Sequence, residues 1–223
     1  MKIMKKNALI ICSHPDDEVL GCGGTIDSLS KKYNFFCVHL TKGEAKRTEK
    51  DLSKKLIETK KAKKILGIKK IFNADFPDNA LDSIKLIEII QYIENIISKI
   101  KPELIFTHSP KDLNIDHKIC NQATITACRP IKKTGFIKKI LCFEILSSSE
   151  WNFVSENFNP NIFVKISKKN LKKKIEAMKS YSTELRKFPH PRSLNNIKNL
   201  AMNRGSTIST EYAEAFELGF ERM

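Results

Sequence analysis

Apolar positions alternate along the chain between short continuous runs and longer stretches at helical spacing. Ala8 to Cys12 is a nearly unbroken apolar run with two isoleucines, the pattern of a strand covered on both faces. Apolar residues from Val19 to Leu29, starting among glycines, predict a helix directly after it. Phe35 to Leu40 reads as a second strand. From Thr48 to Leu66, Leu52, Leu56, Ile57, Ala62 and Ile65 fall at helical spacing, and Gly67 closes the segment as a C-cap. Lys70 to Asn73 is the third strand, and Ser83 to Ile100 is a wide-faced helix with apolar residues at 84, 86, 87, 89, 90, 93, 96 and 97. Leu104 to Thr107, introduced by Pro102, is the fourth strand.

The second half is less regular. Residues 118 to 129 read as a short helix, Ile137 to Leu146 as a fifth strand, and Ser147 to Trp151 as a polar loop at its end. Ile162 to Ile166 is a further strand and Lys168 to Tyr181 a basic helix. Phe188-Pro189-His190-Pro191-Arg192-Ser193 is an irregular segment stiffened by its prolines. Asn195 to Arg204 reads as a helix ended by Gly205, and Tyr212 to Phe216 follows with no element assigned. The alternation predicts an α/β fold, a Rossmann-like, doubly wound and mostly parallel sheet with helices on both faces. With strand order 3-2-1-4, the loops after strands one and four face each other across the switch point, where ligands bind. The 223 residues, without repeat or linker, are expected to form one domain spanning 1–223.

Those two loops carry the chemistry. His14-Pro15-Asp16-Asp17-Glu18 lies in the tight turn after the first strand, and three adjacent acids repel one another unless a cation or a raised pKa relieves them. His14 and Asp17 offer an imidazole and a carboxylate to one ion, and His117, at the end of His108-Ser109-Pro110-Lys111-Asp112-Leu113-Asn114-Ile115-Asp116-His117, can supply a third ligand. A solvated acidic turn capping a helix is the plainer reading of the first loop alone. Asp112-x-Asn114-x-Asp116 resembles the start of a calcium loop, but His117 stands where glycine is needed and Ala123 where glutamate is. His108 reads as a structural histidine. Arg47 and Asp78, on neighbouring strand-end loops, are candidates either to bind a substrate or to form ordinary surface salt bridges.

Charge and cysteine content change this picture little. Lys+Arg 40 against Asp+Glu 25 gives +15, which could mark an anionic partner. The lysines are spread along the chain, however, and 4 Tyr and 1 Trp make few stacking platforms, so no specific nucleic acid is expected. The six cysteines contain no C-x-x-C pair and read as reduced, buried residues of a cytoplasmic protein. No cleavable leader is recognised after the basic start, and no apolar run approaches the roughly 18 residues of a membrane span.

SHPDDE after the first strand, TKGE after the second and HSPKDLNIDH after the fourth resemble the LmbE-like, or PIG-L, family of metal-dependent de-N-acetylases. FPDN, EILSSSEW, FPHPRS and RGSTISTEYAEAF extend the resemblance over almost the whole chain, and these later motifs mark a subgroup associated with bacterial surface sugars. The resemblance implies that His14, Asp17 and His117 bind one zinc ion per chain and that Asp16 is the general base. It also implies a cytoplasmic hydrolase acting on an N-acetylated amino sugar, free or linked to a nucleotide or lipid. Many members have histidine at the position of Asn114, where it stabilises the tetrahedral intermediate; asparagine can donate a hydrogen bond there but carries no charge. Asp112 and Asp116 are expected beside the ligands. A set of two histidines and one carboxylate also suits iron(II), so the identity of the ion stays open. Also open are a metal-dependent amidase or esterase on a non-sugar substrate, a non-enzymatic basic nucleic-acid-binding protein, and a homo-oligomer.

Overall fold

The computed structural model describes residues 4–43, 49–131, 134–154 and 156–223, with the side chains of 49–51 left out. Strands β1 (Lys6–Cys12), β2 (Tyr33–Thr41), β3 (Lys70–Phe76), β4 (Leu104–His108), β5 (Lys139–Phe143), β6 (Ile162–Lys165) and β7 (Ala213–Glu221) form a sheet in the order β3-β2-β1-β4-β5-β7-β6. The first five are parallel, and β7 runs antiparallel to both β5 and β6. The strand reversal lies between β1 and β4, as the order 3-2-1-4 requires.

β1 is apolar without a break because both faces are covered. Ala8, Ile10 and Cys12 point to a core shared with helices α1 (Asp17–Ser28), α2 (Glu49–Leu66), α5 (Lys168–Ser180) and α6 (Leu194–Ser206). Leu9 and Ile11 point to a second core with α3 (Leu86–Ile100) and α4 (Ile115–Ala127). Helices thus cover both faces of the sheet. Gly67, at φ +74°, ends α2 with its N–H and that of Ile68 on the Lys63 carbonyl, which only an achiral residue does without strain. All six cysteines are buried and free. No described helix is long and apolar enough to cross a membrane.

Several boundaries differ from the expectation: β3 runs on to Phe76, β5 stops at Phe143, α3 starts at Leu86, and three further differences have a visible cause. β7 is a full strand where the apolar pattern predicts no element, because its acids are used internally. Helix α1 kinks at Cys22 (φ −147°, ψ 20°), and the Gly24 and Thr25 N–H groups donate at 3.0 and 2.6 Å to Glu214 of β7, whose charge Lys174 meets. Helix α6 runs through Gly205, which serves instead as a close approach: a Cβ there would lie 2.7 Å from the Thr210 carbonyl oxygen and the Tyr212 nitrogen. Helix α4 begins three residues earlier than the expected 118, because Asn114 caps it, its Oδ1 accepting from Asp116 N at 2.8 Å. His117 therefore stands on a helix and not in a loop.

Helix α1 is pressed onto the sheet at Gly21, where a Cβ would sit 2.4 Å from Phe143 Cδ2. Gly21→Ala should destabilise the fold by about 1–3 kcal/mol through overpacking, lowering the melting temperature; an unchanged value would show that Phe143 yields freely.

Candidate functional site

At the end of β1 the chain turns sharply into α1, and the turn residue Asp16 adopts φ 119°, ψ −27°. That turn directs three groups at one point. His14 Nδ1 lies 3.3 Å from Asp17 Oδ2, and His117 Nε2, on the first turn of α4, lies 3.2 Å from His14 Nδ1 and 3.6 Å from Asp17 Oδ2. The outer ring nitrogens face carboxylates: His14 Nε2 is 3.1 Å from Asp116 Oδ2 and 3.3 Å from Asp78 Oδ1, and His117 Nδ1 is 3.1 Å from Asp112 Oδ1. Asp116 is itself fixed by the N–H groups of Asn79 and Leu81, and Asp112 by the hydroxyls of Ser148 and Ser149.

The donor set fits a divalent ion. The three inner distances match the edge of about 3.4 Å expected for a tetrahedron with ligand bonds near 2.1 Å. Asp17 Oδ1 is buried without a hydrogen-bond partner among the described residues. Burial opposes charge on His14, yet its contacts with Asp116 and Asp17 and the charge of Asp78 lift its pKa to about 10, so the cluster is built to surround a positive charge. Burial also works against the Asp17 carboxylate, but the facing imidazoles, His117 first, hold it well below the usual range.

Two other groups gather ligand atoms. In the set of His14, Asp78 and Asp116 both carboxylates are tied by hydrogen bonds from Thr41, Asn79 and Leu81; in the first set Asp17 Oδ2 likewise accepts from His14 N at 2.8 Å, but its Oδ1 has no partner among the described residues and a second imidazole completes the donors. Cys12, Cys37 and His39 are sealed inside the protein at 0% exposure. The first set combines two imidazoles with a carboxylate one of whose oxygens has no partner among the described residues, and His14 carries it to the edge of a cleft.

That cleft is lined by His14, Asp16, Asp78, Asn114, Glu184 and Arg192. Burial raises the Asp16 carboxyl to about 6, against the opposing charges of Arg192 and Lys55. Because the Asn114 Oδ1 caps α4, its amide nitrogen is the group left to offer the cleft. His108 takes no charged role: Ser13 N donates to its Nε2 at 3.0 Å, it stacks on His117 at 3.9 Å, and burial lowers its pKa to about 4, so its approach to Asp17 is not an ion pair. Arg47 lies outside the described residues.

The sequence profile described as PIG-L: GlcNAc-PI de-N-acetylase matches residues 9–128, more than half of the 223. The chain belongs to the PIG-L family. Its region of match contains both metal-candidate loops. The uncharacterized deacetylase YaiS of Escherichia coli (strain K12) is 28% identical over 185 residues, covering 80% of this chain and 92% of the relative. Diacetylchitobiose deacetylase of Thermococcus kodakarensis is 33% identical over 112 residues, covering 47% of this chain and 41% of that protein. Among solved structures, GalB, the 4-carboxy-2-hydroxymuconate hydratase of Pseudomonas putida KT2440, superposes with a TM-score of 0.79 at 20% identity, over 98% of each chain. The PIG-L fold thus carries hydration as well as deacetylation, and the reaction has to be argued from the site.

Two parts of this site carry no signal that the sequence reading picks up. Glu18, read as one of three repelling acids, turns inward, where it accepts from Tyr181 OH at 2.7 Å and Asp16 N at 3.1 Å and lies 3.2 Å from His39 Nε2. Arg192 reaches Asp16 from 176 residues away; its one local signal is an arginine between Pro191 and the helix cap Ser193.

Proposed function

We propose that the protein is a divalent-metal-dependent hydrolase that removes the N-acetyl group of an amino sugar, free or carried on a nucleotide or lipid. The observation that carries this reading is the convergence of His14 Nδ1, Asp17 Oδ2 and His117 Nε2 within 3.6 Å of one another, next to the cleft that His14 and the buried carboxyl of Asp16 line. Membership of a de-N-acetylase family and similarity to a diacetylchitobiose deacetylase support the amide of an acetylated amino sugar as the substrate.

A divalent ion held by these three residues, zinc or iron(II), supplies Lewis-acid polarisation of the amide carbonyl and acidifies water when bound. Asp16 takes a proton from the attacking water as the oxygen joins the carbonyl carbon. It returns that proton to the nitrogen as the C–N bond breaks, leaving acetate and a free amine. Asn114 donates to the carbonyl oxygen as negative charge builds there. Asp116, within hydrogen-bond distance of His14 Nε2, and Asp112, facing His117 Nδ1 at 3.1 Å, orient the two imidazoles. Asp78, which lines the cleft 3.3 Å from His14 Nε2, would accept sugar hydroxyls.

The test is acetate release from N-acetylglucosamine, diacetylchitobiose and N-acetylated nucleotide sugars, with metal analysis of the same preparation. Acetate should appear with at least one of them; none from metal-loaded protein would overturn the reading. Asn114→Ser keeps the helix cap and removes the amide donor, so kcat should fall by about 10²-fold with the melting temperature unchanged. An unaltered kcat would place Asn114 outside the reaction.

A further inference from the structure

The loop that ends at Ser193 reaches back into the cleft through one side chain. Arg192 Nε donates to Ser147 Oγ at 2.6 Å, and its Nη1 lies 3.2 Å from Asp16 Oδ2 and 3.5 Å from Glu184 Oε2. Glu184 Oε1 accepts from Lys55 Nζ at 2.7 Å, so the charges alternate along Lys55, Glu184, Arg192 and Asp16. Both residues that Arg192 joins are strained: Asp16 stands at φ 119° and Ser147 at φ 74°. Side-chain-bearing residues stay in that region only when their surroundings hold them there.

The backbone of Asp16 is held by Glu18 Oε2 on its N–H and by the Val19 and Leu20 N–H groups on its carbonyl. None of these fixes the carboxylate, whose hydrogen-bond partner among the described residues is Arg192. The guanidinium is suited to this: a planar fork with one nitrogen anchored cannot swing without losing its second contact. Its own position is set by Ser193, which caps α6 by accepting from Asn196 N at 3.3 Å.

We propose that Arg192, anchored to Ser147, is the positioning residue of Asp16: it aims the carboxylate into the cleft and acts on the reaction through Asp16 and not through the substrate or the metal. The proposal rests on the reading of Asp16 as the base. It joins the later irregular segment of the chain to the reacting end of β1.

The experiment measures acetate release from N-acetylglucosamine, or whichever panel member the wild type cleaves, with metal-loaded full-length protein. Arg192→Ala should lower kcat by about 10²-fold, as expected for a misplaced catalytic group. KM and metal content should stay within twofold to threefold of the wild type, about the scatter expected of such values. Arg192→Lys should stay impaired, lacking the fork, whereas millimolar guanidinium ion should restore part of the rate to Arg192→Ala. In an Asp16→Asn background Arg192→Ala should change kcat little, since the carboxylate it positions is gone. A full multiplicative loss in that background, a raised KM with normal kcat, or loss of metal would overturn the proposal. If the wild type releases no acetate from any probe, the reading of the reaction fails, and denaturant unfolding of the wild type, Arg192→Ala, Asp16→Ala and their double variant decides the contact, since alanine at 16 leaves Arg192 nothing to donate to. A double variant that loses less than the sum of the singles supports the Arg192 to Asp16 coupling, and additive losses overturn it.

Discussion

Asp16→Asn should lower kcat for acetate release by about 10²–10⁴-fold while leaving the bound metal in place, the loss expected when a general base is removed. The fold should survive. The amide oxygen can still accept from Arg192, and Glu184, 3.5 Å from the guanidinium, remains as its counter-charge. The backbone contacts that hold residue 16 at positive φ come from Glu18, Val19 and Leu20 and do not involve its side chain. Asp17→Asn should behave differently, because Asp17 faces both imidazoles and its Oδ1 has no other partner. That variant should release metal first and activity with it. The comparison decides which of two adjacent aspartates does what, by kcat in one variant and metal content in the other. Loss of metal from Asp16→Asn with retention in Asp17→Asn would exchange the roles.

The sequence made the site readable where topology brings it together, and hid it where long-range contacts do. His14 and His117 are 103 positions apart, yet each follows or flanks the end of a strand, and the order of those strands places both at the switch point. Strands β1 and β4 were legible because burial on both faces leaves no polar position to break the run. β7 was not, because Glu214 and Glu217 interrupt its apolar pattern. Glu214 receives the amides freed by the α1 kink and Glu217 accepts from Ser109 Oγ and Asn159 N, needs that appear only once α1 and β7 are packed. The early start of α4 follows from Asn114, whose side chain caps the helix by accepting from Asp116 N. The Glu18 network with His39 and Tyr181, and the reach of Arg192, draw on residues from separate elements with no shared periodicity, so no local pattern announces them.

Chelation should remove about one divalent ion per chain and lower the melting temperature, and re-addition should restore both. Binding to the native state alone stabilises it by about 2.7 kcal/mol when the ion is present at 100 times its dissociation constant. His14→Ala, Asp17→Ala and His117→Ala should each lose the ion and the activity together, since each removes a donor from a set of three. Asp112→Asn should be graded instead. It leaves all three donors but weakens the hold on the His117 outer nitrogen, so affinity should fall by about 10–100-fold and rate should return at higher metal concentration. Asp78→Ala discriminates between the two groups that share His14. If the ion sits with Asp17 and His117, Asp78→Ala keeps it, because Asp78 approaches only the outer nitrogen of His14 at 3.3 Å. Metal lost from Asp78→Ala and Asp116→Ala but kept in Asp17→Ala and His117→Ala would move the ion to the other side of the His14 ring, away from the orphaned oxygen of Asp17. Unchanged metal content in all of these variants would mean that this cluster is not a metal centre.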